Sequence, residues 1–152
     1  MGKAHGRSRV PHAGTGWRGA IEREEGSPRP DLFPSRPGAV FPLYHVLADL
    51  GEWKGRYVIE ADSSAPFAVE ALAVRDGAGL HVLLANLTPS AQGCTIGPLP
   101  SGRAVIRWLD ETTAADAGER PDEFRQQRRD VEALSGRLTL ELAPYAFVRI
   151  DA

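Results

Sequence analysis

The sequence predicts a mainly β protein: a small antiparallel β-sandwich preceded by a short helix and an irregular N-terminal segment. Residues 1–41 are rich in proline and glycine, the next dozen residues have helical apolar spacing, and residues from 56 onward alternate with period two. The 152-residue chain is too short for a complete (β/α)8 barrel of about 250 residues. We therefore divide it into an irregular segment over 1–41, a helix over 42–54 and a sandwich over 55–152.

The composition is that of a soluble globular protein, with 42% hydrophobic residues, 25% charged residues and a formal net charge of −2. This charge gives no general attraction to nucleic acid, and no apolar run is long enough to cross a membrane. Cys94 is the single cysteine, so a disulfide framework and a cysteine zinc site are excluded. The first residues also lack the apolar stretch of a signal peptide. We expect a cytoplasmic protein without a metal or cofactor.

The predicted helix begins at Pro42, which suits the first helical position, and Gly51 supplies a stop signal. Its apolar residues recur at i, i+3, i+4 and i+7, namely Leu43, Val46, Leu47 and Leu50. These residues predict one apolar stripe, which residues 1–41 are poorly suited to cover, so a missing partner is expected. His45 lies within this helix and is interpreted as a packing residue rather than a metal ligand.

Three strands of a meander follow, with the sequences RYVIEA, FAVEALAVRD and LHVLLANLT. The last two are joined at Asp76-Gly77-Ala78-Gly79, which is typical of a hairpin turn. His81 faces away from its apolar neighbours and is expected to face solvent. Asn86-Leu87-Thr88 fits a glycosylation sequon but is interpreted as a strand end.

The second half of the chain predicts a short strand near residues 94–96 and another strand over RAVIRWLDE. Residues 113–130 are polar, with Phe124 as the one apolar anchor, and predict a solvated surface excursion containing a helical turn or two after Pro121. Two β segments then flank Ala143-Pro144, and leucines 138, 140 and 142 share one face. The total is six to eight antiparallel strands, enough for a small sandwich.

Three strings resemble known domains. The closing LTLELAPYAFVRID and the strand LHVLLANLT resemble the C-terminal domains that follow (β/α)8 barrels in many glycoside hydrolases. TGWRGAIEREEGSPRPDLFPSRPGAVFPLYHVLADLGEW is similar to the end of the catalytic barrel in the D-apionate lactonase family. The resemblance covers residues 14–152, whereas residues 1–13 do not resemble the barrel strand that should precede them.

This family implies a hydrolase that acts on a branched-sugar lactone, with most of its chemistry on barrel strands that this sequence lacks. We therefore expect a fragment: the last unit of the barrel and the sandwich. Trp17, Arg18 and Glu22 are the substrate-binding candidates, because the resemblance puts this segment at the C-terminal face of the barrel, where active sites of that fold lie. A guanidinium can hold a carboxylate or a hydroxyl-rich ligand, and an indole offers an apolar face to a sugar.

Catalytic residues cannot be assigned from the sequence, and whether this chain is an enzyme stays open. Glu22 and Glu24 could form an acid and base pair, but a run of charged residues such as 22–25 is more typical of an exposed turn. Cys94 is interpreted as a buried or half-buried small residue rather than a nucleophile.

The favoured function is an accessory β-sandwich of a sugar-lactone hydrolase or glycoside-hydrolase-like enzyme, inactive alone. The intact parent would bind a sugar lactone or carbohydrate, and the partner would be a (β/α)8 catalytic domain. The alternatives are an autonomous carbohydrate-binding module and a protein-interaction domain that uses the helix. The accessory role is favoured because the aromatic residues of the sandwich are few, and those in strands mostly share the side of the strand that carries apolar residues. The aromatic residues are Tyr57, Phe67, Trp108, Phe124, Tyr145 and Phe147.

Overall fold

The structure, a computed structural model, describes residues 37–152. These residues form one helix, α1 (Leu43–Glu52), followed by eight strands and two further short helices, α2 (Ala114–Glu119) and α3 (Pro121–Gln126). The strands are β1 (Tyr57–Ile59), β2 (Val69–Asp76), β3 (Gly79–Asn86), β4 (Gln92–Ile96), β5 (Arg103–Leu109), β6 (Arg129–Glu132), β7 (Leu138–Leu142) and β8 (Phe147–Asp151). The predicted mainly β class is confirmed.

Two antiparallel sheets enclose the main core. The larger sheet has the strand order β1-β2-β3-β8-β5-β6, and the smaller sheet pairs β4 with β7. Aliphatic side chains from alternate positions of β3 and β8 meet Leu138 and Leu142 of the smaller sheet, and all of these side chains are buried. Leu140 is half-buried and packs against the same core, so the predicted single face of the three leucines in β7 is confirmed.

The β2–β3 hairpin forms at the predicted turn. Asp76 pairs with Gly79 across the two strands, and Gly77 between them has φ of +57°. Glycine takes this left-handed conformation without the steric cost of a side chain, which is why the turn needs it. The hairpin fixes the register of β2 on β3, and its side chains therefore alternate between the two faces of the larger sheet.

All three helices cover the outer face of the larger sheet, the face turned away from the smaller sheet. A second core forms there from residues of the helices and of the sheet: Val46, Trp53, Val74, Leu83, Leu109, Ala117 and Phe124. In the described part of the chain, none of the helices is long and apolar enough to cross a membrane.

Residues 113–130 mostly follow the predicted surface excursion. Phe124 is fully buried as the anchor, and α3 is the predicted helical turn after Pro121, although α2 before it was not predicted. The charged side chains of the segment are exposed as predicted, with one exception. Arg125 of α3 is mostly buried because it contacts carboxylates of α1, which are far away in sequence.

The apolar stripe predicted for α1 is divided between two sides of the helix. Val46 is buried in the second core, whereas Leu43, Leu47 and Leu50 are exposed. His45 and Asp49 occupy the buried side instead. The predicted single face was wrong because hydrogen bonds and ion pairs, rather than the apolar pattern, determine which side of α1 meets the sheet. The division at 41, 54 and 55 stays a prediction.

Candidate functional site

The substrate-binding candidates Trp17, Arg18 and Glu22 lie outside the described residues, so their predicted role stays a prediction. Within residues 37–152 the densest arrangement of functional side chains lies where α1 meets the larger sheet. We call it the Asp49 cluster, and it consists of Asp49, Glu52, Arg107, Arg125, Arg149 and Asp151.

Asp49 is the centre of this cluster. Nη2 of Arg107 donates to both carboxylate oxygens of Asp49 at 2.6 Å, and both side chains are only 4% exposed. Nη1 of Arg149 donates to Oδ1 at 2.9 Å, and Nη2 of Arg125 lies 3.2 Å from the same oxygen. One buried carboxylate therefore accepts hydrogen bonds from Arg107 and Arg149 and forms an ion pair with Arg125.

The register of the sheet explains why this carboxylate is needed. Arg107 of β5 and Arg149 of β8 are directly paired across the two strands. Like charges in that position repel each other, and burial under a helix increases the cost. Asp49 lies between them and offsets the repulsion. Because the three residues come from α1, β5 and β8, the ion pairs fix the helix to the sheet.

The outer part of the cluster balances the remaining charge. Glu52 accepts hydrogen bonds from Arg125 and Arg149, and Nε of Arg149 donates to Asp151 at 3.0 Å. Burial by itself would raise the pKa of Glu52, but hydrogen bonds from the two arginines outweigh it and lower that pKa. Glu52 therefore stays ionised at neutral pH and is unsuited to act as a general acid.

His45 lies beside the cluster as a packing residue, which agrees with its predicted role. Its Nε2 lies 2.8 Å from the carbonyl oxygen of Ala117, and its ring centroid is 4.5 Å from that of Phe124. Burial is the largest effect on the pKa of His45 and lowers it. The hydrogen bond to Ala117 raises this pKa, whereas the nearby charges of Arg125 and Arg107 lower it, and the net shift is downward. The ring is therefore neutral at pH 7 and donates through Nε2.

His81 does not face solvent as the sequence predicted. It points to the outer face, as its strand position required, but Trp53 at the end of α1 lies over it with ring centroids 5.9 Å apart. Nδ1 of His81 is 2.6 Å from Oδ1 of Asp151. The prediction was wrong because α1 covers this part of the sheet.

The space within the site is small. The cavity beside the Asp49 cluster measures about 10 Å³, room for a single water molecule and not for a sugar. Its lining includes His45, Asp49, Arg107 and Phe124. Among residues 37–152, no group of three or more histidine, cysteine, aspartate or glutamate side chains could hold a metal. The geometry is that of a structural clamp.

Cys94 is half-buried as predicted, and its Sγ lies 3.7 Å from the carbonyl oxygen of Leu140. Burial raises the pKa of the thiol, which keeps it protonated and poorly nucleophilic. Its strand position and its pKa both agree with a packing role.

The side of α1 opposite the clamp carries a continuous set of exposed apolar side chains. We call it the α1 outer ridge, and its members are between 37% and 59% exposed: Phe41, Leu43, Tyr44, Leu47 and Leu50. Single exposed apolar residues are ordinary on soluble proteins, but five within ten positions form a patch of the kind that marks an interaction surface.

Sequence reasoning missed the Asp49 cluster, although the sequence holds a signal for it. Arg107 and Arg149 interrupt apolar strands, and Asp49 interrupts the apolar helix. Their pairing across 58 and 100 positions follows only from the topology.

Together the fold and the clamp define a β-sandwich domain that holds an N-terminal helix on one face. The chain belongs to the D-apionate lactonase C-terminal immunoglobulin-like domain family, whose model matches residues 66–150, more than half of the chain. The resemblance seen in the sequence is thereby confirmed for the sandwich.

The fold is also similar to parts of solved glycoside hydrolases. A GH30 endoxylanase from Clostridium papyrosolvens matches 74% of this chain at 12% identity with a TM-score of 0.56. A family 44 endoglucanase from Clostridium thermocellum matches 62% at 12% identity with a TM-score of 0.48. This chain spans 28% and 18% of those proteins. A comparison with curated proteins gives no match.

Proposed function

We propose that this chain is a C-terminal accessory domain of a sugar-lactone hydrolase of the D-apionate lactonase kind and that it is inactive on its own. The α1 outer ridge carries the proposal. Its occupant would be a catalytic domain, because the sandwich belongs to a family of C-terminal domains of D-apionate lactonase and α1 is the element that leads into it. The resemblance of residues 14–53 to the end of a barrel implies that this catalytic domain is a (β/α)8 barrel.

The Asp49 cluster supports this role by making α1 a rigid part of the sandwich. A helix with one side fixed by three arginines presents its other side in a defined orientation. Such preorganisation reduces the entropy lost when a partner binds. The ridge is therefore a surface rather than a flexible linker.

The chemistry of the described residues supports the proposed inactivity. Hydrolysis requires a nucleophile or water, together with an acid or base, held at a site that a substrate can reach. The carboxylates of the Asp49 cluster are neutralised by arginines, and the adjoining cavity has no room for a sugar. In the intact enzyme, Trp17, Arg18 and Glu22 would line the substrate pocket on the barrel side, and a cytoplasmic location is part of the same proposal.

Binding to the missing domain provides the test. The purified chain would be mixed with the barrel of a D-apionate lactonase that lacks its own C-terminal domain, and complex formation measured by sedimentation velocity. We expect a 1:1 complex that the Leu43→Asp/Leu47→Asp variant abolishes. Leu134→Asp is the matched control, since Leu134 is exposed elsewhere on the sandwich. Absence of a complex with the folded chain, or equal loss in the control, would contradict the proposal.

Activity assays on aldonolactones and aryl glycosides complete the test. We expect no turnover from the chain alone. Turnover in a monodisperse sample that disappears in Arg18→Ala would show instead that the chain is an enzyme in its own right.

A protein-interaction domain is the second candidate, and the same ridge favours it. Ridge-dependent self-association that the barrel does not displace would support a second copy of this chain as the partner. That result would count against the accessory role.

A further inference from the structure

Three exposed apolar residues lie at the same end of the larger sheet, where β2 begins, β3 ends and β8 begins. We call this set, two aromatic residues and one leucine, the aromatic rim: Phe67, Leu87 and Tyr145. The backbone N–H of Leu87 donates to Ala68 at 2.8 Å, and that of Tyr145 donates to Thr88 at 3.2 Å. Phe67 and Tyr145 therefore lie on either side of the end of β3. Two strand spacings, roughly 10 Å measured across the sheet, separate their backbones.

Both aromatic residues of the rim have unusual backbone conformations. Phe67 has φ of +66° and Tyr145 has φ of +55°. A bulky residue rarely takes this left-handed conformation, which costs roughly 1–3 kcal/mol. The two side chains are 87% and 61% exposed, so they recover little of this cost by packing. Strain that displays a ring to solvent, without burying it, is typical of a binding surface.

The rim is held by a buried amide. Nδ2 of Asn86 donates to the carbonyl oxygens of Ser90 and Ala143, both at 2.8 Å, and its Oδ1 accepts from the backbone and hydroxyl of Thr88. On the other side, the N–H of Phe67 donates to the Glu70 carboxylate at 2.8 Å. The loops that carry the rings are thus fixed before any ligand binds, which lowers the entropic cost of binding.

The charge around the rim limits the class of ligand. Segments 60–70, 86–96 and 141–148, which carry the rim, contain no lysine, arginine or histidine. Phosphates and carboxylates would therefore find no cation in them. The polar groups of Glu70, Thr88 and Gln92 already hydrogen-bond within the protein and hold the loops. The rim therefore offers a ligand its aromatic faces, which suit the C–H face of a neutral sugar.

We propose that the aromatic rim binds a neutral polysaccharide chain, with Phe67 and Tyr145 stacking on different sugar rings of the same chain. The backbone spacing of the two residues exceeds the width of one sugar ring, which is why the ligand is a chain rather than a monosaccharide. This site is separate from the α1 outer ridge, which lies on the helix and not at the strand ends, so the two proposals fail or hold independently.

Affinity electrophoresis of the full 152-residue chain tests the rim. The gels would contain soluble glycogen, xyloglucan or galactomannan, and dissociation constants follow from the retardation. We expect retardation by at least one polymer, with binding weakened at least about fivefold in both Phe67→Gly and Tyr145→Ala. Tyr57→Ala is the matched control, because Tyr57 is 82% exposed in β1, at the opposite end of the sheet, and should leave binding unchanged.

Folding is checked on each variant by thermal unfolding, and Phe67→Gly suits the left-handed backbone at that position. Absence of retardation in all three polymers would overturn the proposal, as would equal loss in Tyr57→Ala. Weaker binding of the catalytic barrel by the rim variants, without any polysaccharide binding, would overturn it as well and would make the rim a protein contact.

Discussion

The inner and outer faces of the larger sheet are both buried, but by different chemistry. On the inner face, aliphatic side chains of two sheets meet without a charged group among the buried residues of the core. On the outer face, three helices pack on a core that adjoins Asp49 and three arginines. Truncating a side chain of the inner core should lower the free energy of unfolding in proportion to the buried volume that is removed. On the outer face, the same free energy depends on the single carboxylate of Asp49.

The first prediction tests that dependence. Asp49→Asn removes the charge that separates Arg107 from Arg149 and leaves the buried guanidinium of Arg107 without a counter-ion. We expect a loss of about 3–5 kcal/mol in the free energy of unfolding, measured by urea denaturation. Glu52→Gln is the control: its half-exposed carboxylate contacts Arg125 and Arg149 but not the buried Arg107, so the substitution should cost only about 0–1 kcal/mol. Equal losses in the two variants would show that the clamp is spread over the whole cluster.

The inner face gives the second prediction. Leu142 is fully buried, so Leu142→Ala should cost about 2–5 kcal/mol. Leu140 shares its face but is half-buried, so Leu140→Ala should cost less than half as much by the same urea measurement. A larger loss at Leu140 would show that the register of β7 against the main core is wrong.

The difference between the faces explains how much the sequence could predict. Alternating leucines in β7 and the glycine turn after Asp76 are local signals, and each predicted its element correctly. The burial of Asp49 is not local, because its partners lie in β5 and β8 and become neighbours only once the sheet is assembled. The same reason accounts for the wrong predictions at Val46 and His81. Whether these two side chains are exposed depends on which side of α1 packs against the sheet.

The third prediction concerns pH and the outer face. Burial lowers the pKa of His45, so the unfolded chain binds a proton near pH 6.5 that the folded protein resists. Stability is therefore fully present above about pH 6.5 and falls as the pH drops below it. Urea unfolding at intervals between pH 8 and pH 5 should show this fall, and His45→Gln should reduce it. An unchanged slope in the variant would mean that His45 is protonated equally in both states.

The fourth prediction has the smallest effect and concerns positions that belong to neither core. Phe67 is held at positive φ with its ring in solvent, so Phe67→Gly removes backbone strain of about 1–2 kcal/mol and little buried area. Glycine also makes the unfolded chain more flexible, which costs about 0.4–1 kcal/mol. The two terms leave a net gain between zero and about 1.6 kcal/mol. Tyr57→Gly is the opposite case, because Tyr57 is equally exposed but extended in a strand, where glycine should cost about 0.5–1 kcal/mol. Thermal unfolding of the two variants side by side would measure the difference. If Phe67→Gly lowered the stability as much as Tyr57→Gly, the backbone at Phe67 would carry no strain. Backbone strain would then no longer support a binding role for Phe67.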